Sequence, residues 1–219
     1  MEQPSKILRT LVFITALVAA SLVAVGAVYE VSMPAAKAHD LVLDGRPRIG
    51  RLEAKIELVL VEDLRCGACQ YFTQKVFPEI QRRYIDTGLA YCIIVPVSFL
   101  EGSQPISNAA LAVYQLAPER FLPFVHALCD FYHDREVGYD VQDELIQIAE
   151  QVGGIDLPKL KEYIAANSFA RQLDQNFDWA KRIMGHKFGT PALFVNGVRT
   201  SIASAEAISA QIEKLEKSK

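Results

Sequence analysis

The chain has 219 residues, 51% of them apolar, which is enough to bury one well-packed domain carrying an insertion but cramped for two domains. A formal charge of -3 and a pI near 5.8 provide no general attraction for phosphates, which excludes nucleic acid as a partner. With 22% charged residues and no repeat or low-complexity stretch, disorder is excluded as well.

In chain order, Lys6 and Arg9 precede an uncharged run from Thr10 to Tyr29, rich in Leu, Val and Ala, that ends at Glu30. A basic flank, an apolar core and then a polar chain is the layout of an export signal. Its length also suits a membrane anchor, since about 20 apolar residues span a bilayer as a helix. The small-residue site Ala36-Lys37-Ala38 follows at a distance that is long for cleavage. Residues 1–38 therefore read as an export signal or membrane anchor plus linker. Both options place 39–219 outside the cytoplasm, either free after cleavage or tethered, because the basic flank stays inside.

Ile56 to Val61 is a short apolar, β-branched run, which predicts a buried strand leading straight into Cys66 and Cys69. Cys69, Phe72, Val76, Ile80 and Tyr84 then recur at helical spacing, with Pro78 inside the pattern predicting a kink. After Asp86-Thr87-Gly88, Ala90 to Val97 predicts a second strand, parallel to the first through a right-handed crossover. From about 103 to 184 the pattern is helical throughout. One stripe is Leu145, Ile148, Ala149 and Val152, stopped by Gly153-Gly154; another is Ala170, Leu173, Phe177, Ala180 and Ile183. Between them Asp156 and Pro158 mark the start of a short helix. Phe121, Phe124, Phe131 and Tyr132 are expected in the core of this insertion. Asn196-Gly197 between Ala192–Val195 and Val198–Thr200 is a hairpin signal, and Ser204 caps a last helix lined by Ile208, Ile212 and Leu215.

Cys66 falls where a strand ends and a helix begins. Unpartnered backbone N–H groups and the helix dipole there stabilise a thiolate, so Cys66 is expected to be the nucleophile. Cys69, nearly one turn on and facing inward, is expected to be the resolving thiol. A zinc site would need a second closely spaced pair of ligands, which the sequence lacks. A purely structural bridge would close too short a loop to stabilise much through chain entropy. Cys92 and Cys129 are a candidate second disulfide, weighed against two free buried thiols. His126, His133 and His186 read as surface or satisfied polar residues, and no metal site is expected.

Val61-Glu62-Asp63-Leu64-Arg65-Cys66-Gly67-Ala68-Cys69 and Phe188-Gly189-Thr190-Pro191-Ala192-Leu193-Phe194-Val195-Asn196-Gly197 closely resemble motifs of the thioredoxin-like thiol-disulfide oxidoreductases. The group resembled is the DsbA-like one with a helical insertion, and the match in order and spacing covers roughly residues 55–217. The resemblance implies an α/β thioredoxin-like fold, β-α-β, helical insertion, β-β-α, with a central mixed sheet over 39–219. It implies a redox-active Cys66–Cys69 pair with Gly67 and Ala68 in the active-site loop. Pro191 would be cis beside the reactive pair, and Thr190 would present backbone to an extended substrate segment. Expected partners are cysteine-containing exported proteins and a redox partner such as a membrane electron donor, with no cofactor, in the bacterial periplasm.

Strongly oxidising members carry a histidine between the cysteines, where this chain has Gly67-Ala68, which leans the expectation towards a reductant. A disulfide-forming oxidase and a non-catalytic protein- or metal-binding module are the alternatives. Arg65 is a candidate stabiliser of the thiolate, against a side chain pointing into water. Glu62 or Asp63 is a candidate buried acid/base, against a default of solvated surface carboxylates.

Overall fold

The computed structural model describes residues 12, 14–16, 45–132 and 141–217. The chain divides into two compact units, 1–35 and 36–219. Of the first, the four described residues are helical. Most of the apolar run from 10 to 29, the candidate cleavage site at 36–38 and His133 lie outside the described residues. Among the described residues, no helix is long and apolar enough to cross a membrane.

The second unit is built on a mixed sheet whose strands lie in the spatial order Arg48–Gly50, Ala90–Pro96, Ile56–Glu62, Ala192–Val195 and Val198–Thr200. β2 (Ile56–Glu62) and β3 (Ala90–Pro96) are its parallel pair, and β4 (Ala192–Val195) runs antiparallel to β2 on the other side. Their near-continuous apolar runs reflect burial on both faces. Leu58, Leu60, Cys92, Ile94, Leu193 and Val195 point into one apolar layer, while Val59, Val61, Ile93, Val95 and Phe194 point into the other. β5 (Val198–Thr200) closes the hairpin across Asn196 and Gly197, both at positive φ, 47° and 78°. β1 (Arg48–Gly50) pairs antiparallel with the outer edge of β3. It was not expected: three residues with one aliphatic side chain carry no period-two signal.

The helical run after β2 comes in four pieces: α1 (Gly67–Tyr71), a π-turn (Phe72–Val76), α2 (Phe77–Ile80) and a second π-turn (Gln81–Ile85). Pro78 lacks the N–H that a regular turn would use, and the expected kink takes the form of a widened turn just before it. Cys69, Phe72, Val76 and Ile80 are buried on one side of this run.

Between Ser103 and Met184 lie α3 (Ser103–Leu116), α4 (Phe121–Tyr132), α5 (Gln142–Val152), α6 (Leu157–Ala165) and α7 (Ala170–Met184). Gly153, at φ 70°, ends α5; Asp156 caps α6 by accepting the Lys159 N–H at 3.0 Å. Phe121, Phe124 and Tyr132 are buried in the larger apolar layer with α3 and α5. α7 differs from its neighbours. Its Trp179, Ala180 and Met184 cover the second face of the sheet, so the last helix of the block completes the sheet's own core. α8 (Ala205–Lys217) is capped by Ser204, whose Oγ accepts the Ala207 N–H at 3.3 Å, and buries Ile208 and Ile212.

Candidate active site

β2 ends at Glu62 and the chain turns through Asp63, Leu64 and Arg65 into Cys66. The Cys66 N–H donates to the Asp63 carbonyl at 2.9 Å, closing that turn. Cys66 is the N-cap of α1, with extended dihedrals of -73° and 117°, so its sulfur stands at a mouth of unpartnered N–H groups. The β2–β4 register sets Ala192 opposite Val61, which brings the preceding loop level with this turn. The Thr190–Pro191 peptide is cis, and the Cys66 Sγ lies 3.5 Å from the Thr190 carbonyl oxygen.

The two sulfurs are unlike. Cys66 is partly exposed, and Gly67 and Ala68 beside it are exposed, whereas Cys69 is 1% exposed. The Cys66 thiol is lowered from 9.0 to about 5, first by the hydrogen bond from the Cys69 thiol, against the opposing cost of burial. Thr190 and the backbone N–H groups of Cys69 and Ala68 add to the lowering. Cys69 is pushed far above the ordinary thiol range, first by burial, then by its bond to Cys66 and by the charge of Glu62. One sulfur is an accessible thiolate, and the other is a protonated thiol beneath it that donates to it.

Solvated carboxylates at 62 and 63 were the default expectation, and the structure corrects it: Glu62 is 1% exposed and Asp63 is fully buried. Residues 58, 60 and 62 share one face of β2, so Glu62 points with Leu58 and Leu60 towards the helix that carries the cysteines. Its Oε2 accepts from Thr73 Oγ1 at 3.2 Å. Burial raises its carboxyl to about 7; the Thr73 bond opposes this, and the charges of Asp63 and Cys66 add to it. The Asp63 carboxylate accepts three backbone N–H groups, from Arg65 at 2.9 Å, Phe99 at 3.0 Å and Leu100 at 3.1 Å. Arg65 does not figure among the groups that stabilise the thiolate, and its side chain is partly exposed. Its Nη1 donates to the Glu101 carbonyl.

Cys92 and Cys129 do not form the candidate second disulfide. Both are free, and so are Cys66 and Cys69. Cys92 lies mid-strand on β3 and Cys129 on α4, each embedded in the larger apolar layer. Burial, followed by the charge of Glu62, raises both thiols, Cys129 to about 12. Sequence reasoning missed the loop after β3, where Phe99 and Leu100 keep 39% and 38% of their surface exposed next to the Asp63 turn. The available signal was two large apolar residues just beyond a strand's carboxyl end, the edge where α/β sheets place their sites.

A dithiol at a strand-to-helix junction, with one ionised sulfur, one buried thiol and a cis-proline loop across from it on a mixed sheet, defines a thiol-disulfide oxidoreductase of thioredoxin fold. Residues 43–214 match the family model described as thioredoxin, and the chain belongs to that family. It is 28% identical over 174 residues to disulfide bond formation protein D of Bacillus subtilis, covering 78% of each chain. A Rickettsia bellii relative named as a protein-disulfide oxidoreductase is 30% identical over 78% of this chain, and this chain spans 65% of that protein's length. Among solved structures it is similar to DsbA of Chlamydia trachomatis, with a TM-score of 0.72 and 28% identity over 78% of this chain and 92% of that one. It is also similar to oxidised BdbD of B. subtilis, with a TM-score of 0.71 and 28% identity over 78% and 93%. The chain is a DsbA-like thiol-disulfide oxidoreductase.

Proposed function

We propose that this protein acts outside the cytoplasm and forms disulfides in exported proteins through Cys66 and Cys69. The observation that carries this reading is the lowering of Cys66 to about 5, because stabilising the thiolate stabilises the reduced protein and makes its disulfide a stronger oxidant. The absence of histidine from Gly67-Ala68 had favoured a reductant. That argument addressed one source of thiolate stabilisation, whereas here the Cys69 thiol and the α1 backbone N–H groups supply it. The naming of the B. subtilis relative as a disulfide bond formation protein supports the same direction. The basic flank at Lys6 and Arg9 before the apolar run supports export of residues 39–219, free or tethered.

In the reaction, a client thiolate attacks Cys66 Sγ of the protein disulfide, breaking the Cys66–Cys69 bond and forming a mixed disulfide. Cys69 leaves and takes up a proton, for which Glu62, poised near 7 behind it, is the nearby buried donor. A second client thiolate attacks the client sulfur of the mixed disulfide, and Cys66 departs as a stabilised thiolate, which makes it a good leaving group. The client is oxidised by two electrons and the protein is left as a dithiol. A redox partner, such as a membrane electron carrier, then reoxidises it. The Thr190 carbonyl, beside Cys66, is placed to accept a backbone N–H from an extended client segment.

The test is to mix the oxidised protein with a reduced, unfolded disulfide protein and then to equilibrate it against glutathione. One disulfide is expected in the client per protein dithiol formed, with a potential less negative than about -200 mV; Cys66→Ser should form none. A potential near -270 mV would reverse the direction while keeping exchange, and full activity in Cys66→Ser would remove the mechanism.

A further inference from the structure

Beyond β3 the chain passes through Ser98, Phe99, Leu100 and Glu101 before Gly102 caps α3, and this short loop touches both halves of the site. The buried Asp63 carboxylate ties two separate segments together: Oδ1 accepts from the Arg65 N–H of its own turn, while Oδ2 accepts from the Phe99 and Leu100 N–H groups. Hydrogen bonds of backbone N–H to carboxylate are among the stronger ones. A second tie runs alongside, from Arg65 Nη1 to the Glu101 carbonyl. Gly102, at φ +72°, leaves room for it, since a Cβ there would stand 2.8 Å from that Nη1. On its other side, the Phe99 ring meets Phe188 edge-on at 5.2 Å and stacks with Phe177 at 6.3 Å. Phe188 leads directly into Gly189, Thr190 and Pro191. Contacts therefore run without a break from the turn that carries Cys66, through Asp63, to the loop, and through Phe99 to the segment that carries the Thr190 carbonyl.

We infer that Asp63 is a positioning residue for the exchange reaction: it fixes the turn that presents Cys66 and, through the 98–101 loop and the Phe99 ring, the spacing between that sulfur and the Thr190 edge. The inference rests on Cys66 being the sulfur that forms the mixed disulfide with the client, as proposed above. All three hydrogen bonds that hold Asp63 in place come from backbone N–H groups. Its charge and its position have opposite effects on Cys66, which makes the role measurable. Removing a nearby negative charge eases ionisation of the thiol, whereas loosening the turn draws the Ala68 and Cys69 N–H groups away from the sulfur and hinders it.

The experiment uses the full-length reduced protein and its Asp63→Asn variant. The amide is the same size, but one end of it must face an N–H with an N–H. Alkylation by iodoacetamide across pH reads the Cys66 midpoint, and reaction with a peptide whose single cysteine is in mixed disulfide with glutathione reads productive exchange. In the variant the midpoint should rise by about one unit, a tenfold loss of thiolate below it, and the peptide rate should fall about tenfold with helix content unchanged. A midpoint that is unchanged or lower, or a peptide rate within about twofold of wild type, would overturn the role. If Asp63→Asn does not fold, Phe99→Ala decides, because it keeps all three carboxylate bonds and removes only the ring bridge. Its iodoacetamide rate should be unchanged while its peptide rate falls about fivefold. Equal falls in both rates, or none in the peptide rate, would sink the inference. A Cys66→Ser protein that still exchanged disulfides would instead defeat the functional reading, whatever these variants did.

Discussion

Three buried or half-buried groups, Cys66, Cys69 and Glu62, divide the protonation work among themselves, and each division can be measured. Cys66 owes its lowered value first to the Cys69 thiol, so Cys69→Ser or Cys69→Ala should move the Cys66 midpoint up from about 5. The alanine variant, which donates nothing, should move it further; thiolate absorbance against pH reads both, and an unmoved midpoint in Cys69→Ala would contradict the assignment. Glu62 carries the opposite burden. Its folded value of about 7 lies above its ordinary 4.5, so the stability of the protonated acid is fully present below pH 4.5 and is lost as pH rises through 7. Glu62→Gln should therefore flatten the stability curve over that window and stabilise the protein at pH 8 by up to about 3 kcal/mol in urea unfolding. The same variant should slow exchange at that pH, because the proton for Cys69 loses its carrier. A steeper curve, or unaltered exchange, would count against the role of Glu62.

At the level of elements, the strands with long apolar runs and the helices with clear stripes were legible in the sequence, because burial imposes its own period on them. The turn residues were legible for the same physical reason: Asn196-Gly197, Gly153 and Asp156 are chemistries that a particular backbone geometry demands. β1 and the 98–101 loop were not. β1 is held by its backbone pairing with β3, which involves no distinctive side chains, and the loop is fixed by a carboxylate 36 residues away in sequence. Gly50 marks the cost of that edge. Its φ is +90°, and a Cβ would meet the Ala90 carbonyl at 2.9 Å and Ile85 Cγ2 at 2.8 Å. Gly50→Ala should cost about 2 kcal/mol of stability and release amide protection along the β1–β3 pairing in hydrogen exchange, while leaving the Cys66 midpoint in place. The placing of Cys66 and Cys69 where a strand passes into a helix was likewise readable from the sequence. The burial of Glu62 and Asp63 was not, because at the end of a strand a carboxylate faces water or core according to what packs above it, and here that is the helix bearing Thr73 and the loop bearing Phe99.

Across the whole molecule, the lowered Cys66 makes the reduced protein the better-held form at alkaline pH. Its folded value of about 5 lies below the ordinary 9.0, so its contribution to stability is absent below pH 5 and complete above pH 9. The midpoint of thermal unfolding of the reduced protein should therefore climb relative to that of Cys66→Ser between pH 5 and pH 9, and the two should converge at pH 4.5; parallel curves would argue against a stabilised thiolate. The four free thiols also form a gradient from surface to interior. Cys66 meets solvent, Cys69 lies just under it, and Cys92 and Cys129 sit deep in the apolar layer with raised values. An alkylating reagent applied to the native reduced protein should consequently tag one sulfur within seconds and the other three only at the pace at which the chain opens. Counting tags by mass against time then makes the cysteines a built-in clock, from which catalytic competence and global unfolding are read off one sample.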